Sequence, residues 1–397
     1  MISNQCSVFS KSRTGISRFF ATLGLFAAIL TACSPTSVTT QPPNYSTTQL
    51  SNYPITQTPS PTDTSTPMPT VTAVRTPPVL PGMFTTELLN PLDTPHTYLT
   101  DTCQYLKARW DPNNAAPGTV VMVIMFHSVL KPGDEPSDYN QITSSAFEIL
   151  MRDLHEQEFQ AINTGQLADF LEHNAKIPFR SVLLLVDDRH YAEYFDTYFR
   201  PYWEQWGWPV VNAWISTPNN TADLWQQQVD LEAEGWVDHQ AHGVVHNTPI
   251  SEYSPDSYIL GELQGSVAAF QEYFHKSPIA FIWPGGGFTP HAAQLARRTG
   301  YRLGFTINPR GPLMFDWISL SDKSDPQRPS YMPEGLVNDP LMVLPRFWSS
   351  DADKHIDDVR VIGREAAAYA EANKATELEY YDIVCAPDYG PIPAAAP

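Results

Sequence analysis

A distorted (β/α) barrel with parallel strands is the α/β fold class that this sequence predicts, and three observations predict it. Short, near-continuous apolar runs recur along the chain, helix-patterned stretches lie between them, and chemistry-bearing polar residues gather just past several run ends. Runs that are apolar at every position suit parallel strands covered on both faces. Strands that alternate with helices build a parallel sheet, and in such folds function collects at the C-terminal ends of the strands.

The N-terminus reads as an address and not as part of that fold. Lys11, Arg13 and Arg18 precede the apolar run FFATLGLFAAIL, which has the charge and length of a secretory h-region. LTAC follows, ending at Cys33, and resembles the bacterial lipobox, in which the leader is cut before a cysteine that then takes lipid. Residues 1–32 are therefore expected to be a lipoprotein signal peptide, with Cys33 as the membrane anchor. Residues 34–82 hold 11 Pro and 13 Thr among 49 positions, too little apolar surface for a core. Such a tract is a semi-rigid spacer, so 33–82 is read as a disordered linker holding the rest off an envelope membrane outside the cytoplasm.

Residues 83–118 are expected to pack as an extension on a barrel spanning 119–350, and 351–397 to form a C-terminal helix and tail. The strands are TVVMVIMF (119–126), SVLLLV (181–186), PVVNAWI (209–215), PIAFIW (278–283) and YRLGFTI (301–307). Phe147, Leu150, Met151 and Leu154 form an i, i+3, i+4, i+7 helical stripe, opened by a Ser145-to-Glu148 capping box. Helical stretches follow at 224–231 and 258–274. Another helix starts at Thr289, with Pro290 in its first turn, and stops at Gly300.

The chain is acidic, with 43 Asp and Glu against 24 Lys and Arg, which argues against a nucleic-acid partner. No protein partner is indicated. Cys103 and Cys385 remain in the folded part, and an even pair outside the cytoplasm favours a disulfide between them.

Three strand-end motifs carry the chemistry. SVLLLVDDRH runs into Asp187 and Asp188, which can face a cleft where strand gives way to loop. One Asp there would be read as a helix cap; two adjacent ones shift the balance. DHQAHGVVH holds His242 and His246, four apart, a spacing that on a helical turn puts both imidazoles within reach of one ion. With a carboxylate the pair suits zinc or a similar divalent metal, although the spacing alone fits chance polar surface equally well. FIWPGGGF ends a strand in Pro284 and three glycines, which allow close backbone approach.

In this order and spacing the motifs resemble the polysaccharide deacetylase family, also called the NodB-homology family or carbohydrate esterase family 4, from Val120 to Arg346. IMFHSV resembles its opening strand, LVDDRH its T-F-D-D-G motif, and AHGVVHN its H-[ST]-x-x-H-P. FIWPGGGF resembles its aromatic-Pro-x-Gly loop, TGYRLGFTIN its G-Y segment and LPRF a late motif of extracellular members. The resemblance implies a divalent metal, foremost Zn2+, held by Asp188, His242 and His246, with Asp187 as general base. It implies removal of N- or O-acetyl groups from an acetylated polysaccharide, with Arg189, Trp283, Pro284, Gly285 and Gly286 around the substrate.

Departures from the pattern bear on activity. Leu185 and Arg189 flank the Asp pair where the family has Thr and Gly, Gly243 replaces Ser or Thr, and Asn247 replaces Pro. Arg346 stands where a general-acid His would be expected, which leaves His127 as the replacement, with His355 and a water behind it. Arg189 either pairs with Asp187 or faces the cleft, and the cleft-facing arrangement is expected. The alternative function is a catalytically weak carbohydrate-binding surface lipoprotein on the same barrel.

Overall fold

The computed structural model describes residues 75–329 and 331–394. The leader expected at 1–32, the lipid-bearing Cys33 and the spacer as far as residue 74 lie outside the described residues. Strand β1 (Asp93–His96) and helix α1 (Thr102–Trp110) precede the first long strand, β2 (Val120–Phe126). Then β3 (Ser128–Leu130), β4 (Gln141–Thr143), α2 (Ser144–Glu156), β5 (Gln160–Ala161) and α3 (Thr164–His173) lead to β6 (Arg180–Asp187). The alternation continues through α4 (Ala192–Tyr198), α5 (Arg200–Trp206), β7 (Val210–Trp214), α6 (Ala222–Ala233) and β8 (Val237–Ala241). It ends with α7 (Asp256–Tyr273), β9 (Ala280–Ile282), α8 (Pro290–Thr299) and β10 (Leu303–Phe305). A hairpin of β11 (Leu313–Met314) and β12 (Trp317–Ser321) follows, then β13 (Phe347–Trp348), the long α9 (Ile356–Tyr380), a π-helical turn at Tyr381–Cys385 and the short α10 (Ala386–Tyr389).

Strands β2, β6, β7, β8, β9 and β10 lie side by side in parallel and curl into a partial barrel. The open side of the curl is spanned by 344–348, where Leu344 bridges Phe305 and Phe347–Trp348 pair in parallel with Ile124–Met125. The hairpin β11–β12 adds antiparallel to β2, and β1 pairs with β12 at the edge.

The apolar strand runs are explained by two cores, one on each face of the sheet. Val121, Val123, Leu183 and Leu185 enter one core, whereas Val120, Met122, Ile124, Val182 and Leu184 enter the other. This is the period-2 alternation of a strand that is covered on both sides. The second core is closed by Phe147, Leu150, Met151 and Leu154 of α2 and by Ile356, Val359 and Ile362 of α9.

Helix ends differ from the sequence reading in one place. The α2 N-cap is Thr143, whose hydroxyl accepts from the Ala146 N–H, so the expected Ser145 box does not form. Helix α8 starts and stops as its residues indicate, with Thr289 accepting from Ala292 N–H and Gly300 closing it at φ 106°. Cys103 in α1 and Cys385 beyond α9 are joined as a disulfide across 282 residues of sequence. Among the described residues no helix is long and apolar enough to cross a membrane.

Candidate metal centre and active site

Strand β6 delivers both carboxylates. Asp187 is its last residue and continues the face of Leu183 and Leu185, so its side chain is buried. A lone carboxylate there would be costly. The Arg346 guanidinium compensates, with Nη1 2.6 Å from Asp187 Oδ1. Burial works against ionisation, but Arg346, with His242 and His127, outweighs it and holds this carboxyl well below the usual carboxylate range. The next residue, Asp188, turns out of the strand at φ 74° and is partly exposed. His190 steadies that turn by donating from Nε2 to the Asp187 carbonyl at 3.1 Å.

The histidine pair comes from the end of β8. His242 follows the strand directly and is buried, and its Nδ1–H donates to the Ile282 carbonyl at 2.8 Å. That bond leaves the lone pair on Nε2, and burial lowers the pKa to about 4 against the opposing pull of Asp187. His242 is thus a neutral imidazole with a free ligand atom. No helical turn carries His246; the connection is an irregular loop with Gly243 at φ 80° and His246 at φ 54°. The left-handed residues turn the chain back within four positions without helical hydrogen bonds. Loop backbone N–H groups of Val244, Val245 and His246 donate to the Glu262 carboxylate at 2.8, 2.9 and 3.3 Å.

These elements bring the three expected ligands together. His242 Nε2 and His246 Nε2 are 2.9 Å apart, and Asp188 Oδ1 lies 3.9 and 3.8 Å from them. Two imidazoles and a carboxylate around one tetrahedral ion, at bond lengths of about 2.1 Å, would stand roughly 3.4 Å apart. The donor set therefore fits a divalent cation. Asp188 and His246 are also two of the six non-glycine residues with positive φ among those described, and such strain concentrates at functional sites.

His127 follows β2 and stacks on Trp348 at 5.5 Å, with its Nε2 3.6 Å from Asp187 Oδ2. Its Nδ1 is buried and has no hydrogen-bond partner. Arg189 does not pair with Asp187. It is exposed, donates to Asn220 Oδ1 at 3.0 Å, and lines a cavity of about 360 Å³ with Asp188, His190, Tyr191, Ile215 and Leu224. His355 is outside this group, next to Asp351 and Phe347. Of the glycine-loop residues only Gly285 is exposed, while Pro284 and Gly286 are buried. Trp283 is wholly buried and donates to the Met342 carbonyl at 2.8 Å, so its ring is core and cannot meet a substrate.

Sequence reasoning missed Trp348 and Glu262. Trp348 gave no signal, but Glu262 did: it interrupts the apolar stripe of α7 that includes Ile259, Leu263 and Phe270. A second cavity of about 280 Å³, lined by Tyr105, Arg109, Asp316 and Trp317 among others, contains none of the site residues.

A curled parallel sheet with an Asp–His–His set at its strand ends defines an α/β protein with a site able to hold a metal. Residues 175–304 match the family model described as polysaccharide deacetylase. Asp187, Asp188, His242 and His246 lie within the matched segment; His127 and Arg346 lie outside it. The chain is 22% identical over 188 residues to "Putative polysaccharide deacetylase YxkH" of Bacillus subtilis (strain 168), covering 47% of this chain and 64% of the relative. The alignment thus spans just under two thirds of that relative. Among solved structures, the Streptococcus pyogenes deacetylase PplD in complex with acetate is 17% identical, with a TM-score of 0.47, covering 62% of this chain and 99% of that one. IcaB from Ammonifex degensii is 16% identical with a TM-score of 0.45, covering 62% and 98%.

Proposed function

We propose that this protein is a metal-dependent hydrolase that removes N- or O-acetyl groups from a polysaccharide at the cell surface. The observation that carries the reading is the convergence of Asp188, His242 and His246, whose ligand atoms all lie within 4.8 Å of one another, beside the buried Asp187. Those three residues would hold a divalent metal, with Zn2+ the first choice for a set of two imidazoles and one carboxylate. When bound, the metal supplies Lewis acidity that polarises the acyl oxygen and eases deprotonation of water.

The protein groups divide the proton work. Asp187 Oδ1 is taken by Arg346, so Oδ2, which faces His127 at 3.6 Å, is the oxygen that accepts the proton of the attacking water. His127 then protonates the leaving nitrogen or oxygen, a role for which its ring is held by stacking on Trp348. Arg346 orients the base and does not itself carry a proton in the reaction, since a guanidinium stays charged. Arg189, at the cavity rim, contacts sugar, and Gly285 is the loop residue open to it. Anchoring through Cys33, after removal of residues 1–32, would keep the domain at the envelope.

The test is metal analysis of the purified chain together with acetate release from acetylated oligosaccharides. Acetate release that stops on chelation and returns with Zn2+ supports the reading. Saccharide binding without acetate release, with or without metal, would favour a carbohydrate-binding protein instead.

A further inference from the structure

We infer that Glu262 of α7 is a positioning residue for the second histidine ligand, a role that rests on the metal reading above. A carboxylate buried on an apolar helix face needs a reason, because its desolvation is costly unless hydrogen bonds replace water. Glu262 is buried between Ile259, Leu263 and Ser266. The N–H groups that reach it are three consecutive ones, from Val244, Val245 and His246. Successive backbone N–H groups turned to one side form an anion-binding concavity, and here the anion is the protein's own side chain.

Both sides of the contact are shaped for it. A Cβ on Gly243 would stand 2.3 Å from Glu262 Oε2 and 3.2 Å from Pro284 Cγ, so a residue with a side chain would push the loop off the carboxylate. Three positions along α7, on the same helix face, a Cβ on Gly265 would stand 2.8 Å from Val244 Cγ2. The helix therefore offers an acceptor for the loop backbone and a gap for its Val244 side chain.

The consequence concerns His246. His242 is oriented by the Ile282 carbonyl, but His246 belongs to a loop with no regular secondary structure. Glu262 holds the His246 backbone N–H and its two predecessors, and so holds the second imidazole at 2.9 Å from the first. Groups that orient metal ligands typically contribute about 10–100-fold to metal affinity.

The experiment measures Zn2+ affinity of the full chain by competition with a chelator, for wild type, Glu262→Ala, Glu262→Gln and Gly243→Ala, with melting of each metal-free protein as the fold control. Glu262→Ala is expected to weaken Zn2+ by about 10–100-fold. Glu262→Gln should fall between it and wild type, because the amide keeps one acceptor oxygen, and Gly243→Ala should weaken Zn2+ as well. Wild-type affinity in folded Glu262→Ala and Glu262→Gln overturns the role while leaving the metal reading intact. If both Glu262 variants fail to fold, Glu262 is a structural residue of α7 and the role is rejected. If wild type takes up no divalent ion, the metal reading falls and this inference falls with it.

Discussion

Arg346 and Asp187 form an ion pair with both side chains out of solvent, Nη1 standing 2.6 Å from Oδ1. Arg346 lies between Leu344 and Phe347, the two contacts by which 344–348 spans the open side of the sheet. Its Nε donates to the Thr306 carbonyl at 2.6 Å, so one side chain ties that seam to the ends of β6 and β10. Removing one partner of a buried pair leaves the other charge uncompensated. Arg346→Ala should therefore lower stability by about 3–5 kcal/mol, read by urea unfolding. An unchanged midpoint would show that water or another group can replace the guanidinium.

The two carboxylates of the Asp pair should separate by assay. Alanine at Asp188, His242 or His246 is expected to remove bound metal, whereas Asp187→Asn keeps the metal and loses acetate release by 100-fold or more, roughly the scale of general base catalysis. Elemental analysis and acetate assays on the same preparations decide it. Full metal occupancy in His242→Ala would falsify the ligand assignment.

Arg189 touches Asn220 and the cavity, not the base. Arg189→Gly should change KM and the ranking among acetylated saccharides and leave kcat on the best substrate nearly the same. A uniform rise in kcat with an unaltered ranking would instead mean that Arg189 restrains the catalytic groups.

The Cys103–Cys385 bond closes a loop of nearly the whole domain. Loop-closure entropy puts its contribution at about 6 kcal/mol as an upper figure, reduced by any residual structure in the unfolded chain. Thiol labelling of denatured, unreduced protein should find neither Cys103 nor Cys385 reactive, and reduction should lower the melting temperature. Two titratable thiols at these positions in protein exported to an oxidising compartment would rule the bond out.

Asp316 offers a pH test remote from the metal site. Burial raises its pKa to about 6, although its Oδ1 accepts from the N–H groups of Tyr98 and Leu99 at 2.7 and 2.8 Å. Because the folded value lies above the unfolded one of about 3.9, the folded state holds the proton more tightly. This contribution to stability is complete below about pH 4 and is lost as pH rises through about 6. Asp316→Asn keeps an Oδ1 acceptor and suits the left-handed φ of 52° at this position. The variant should gain on wild type by about 2–3 kcal/mol between pH 4 and pH 7 in urea titrations. A difference independent of pH would mean that Asp316 does not titrate in this window.

Much of this protein is local, and what is local was legible. The runs that became β2, β6 and, apart from Asn212, β7 are apolar because both faces of each strand meet a core, and that requirement is written residue by residue. The α8 boundaries follow from Thr289, Pro290 and Gly300, whose preferences act within one turn. Asp187 and Asp188, with His242 and His246, stand out because polar residues are costly at strand ends unless something uses them. Strand β8 was hidden by the same logic. It reads Val-Asp-His-Gln-Ala, and no hydrophobic period marks it, because His239 is buried with Glu232 and Gln228 as partners and Gln240 with Asp238. Its polar groups are satisfied by residues that only packing brings near. The partner of Asp187 was decided the same way: Arg189 is two residues away and points elsewhere, while Arg346 is 159 residues away and lies in contact. Side-chain alternation tells which face a residue takes, but the identity of the group opposite depends on how the sheet curls and what spans its open side. That is a property of the assembled chain, since a pairwise electrostatic contact acts over a few ångströms of space and is blind to distance along the sequence.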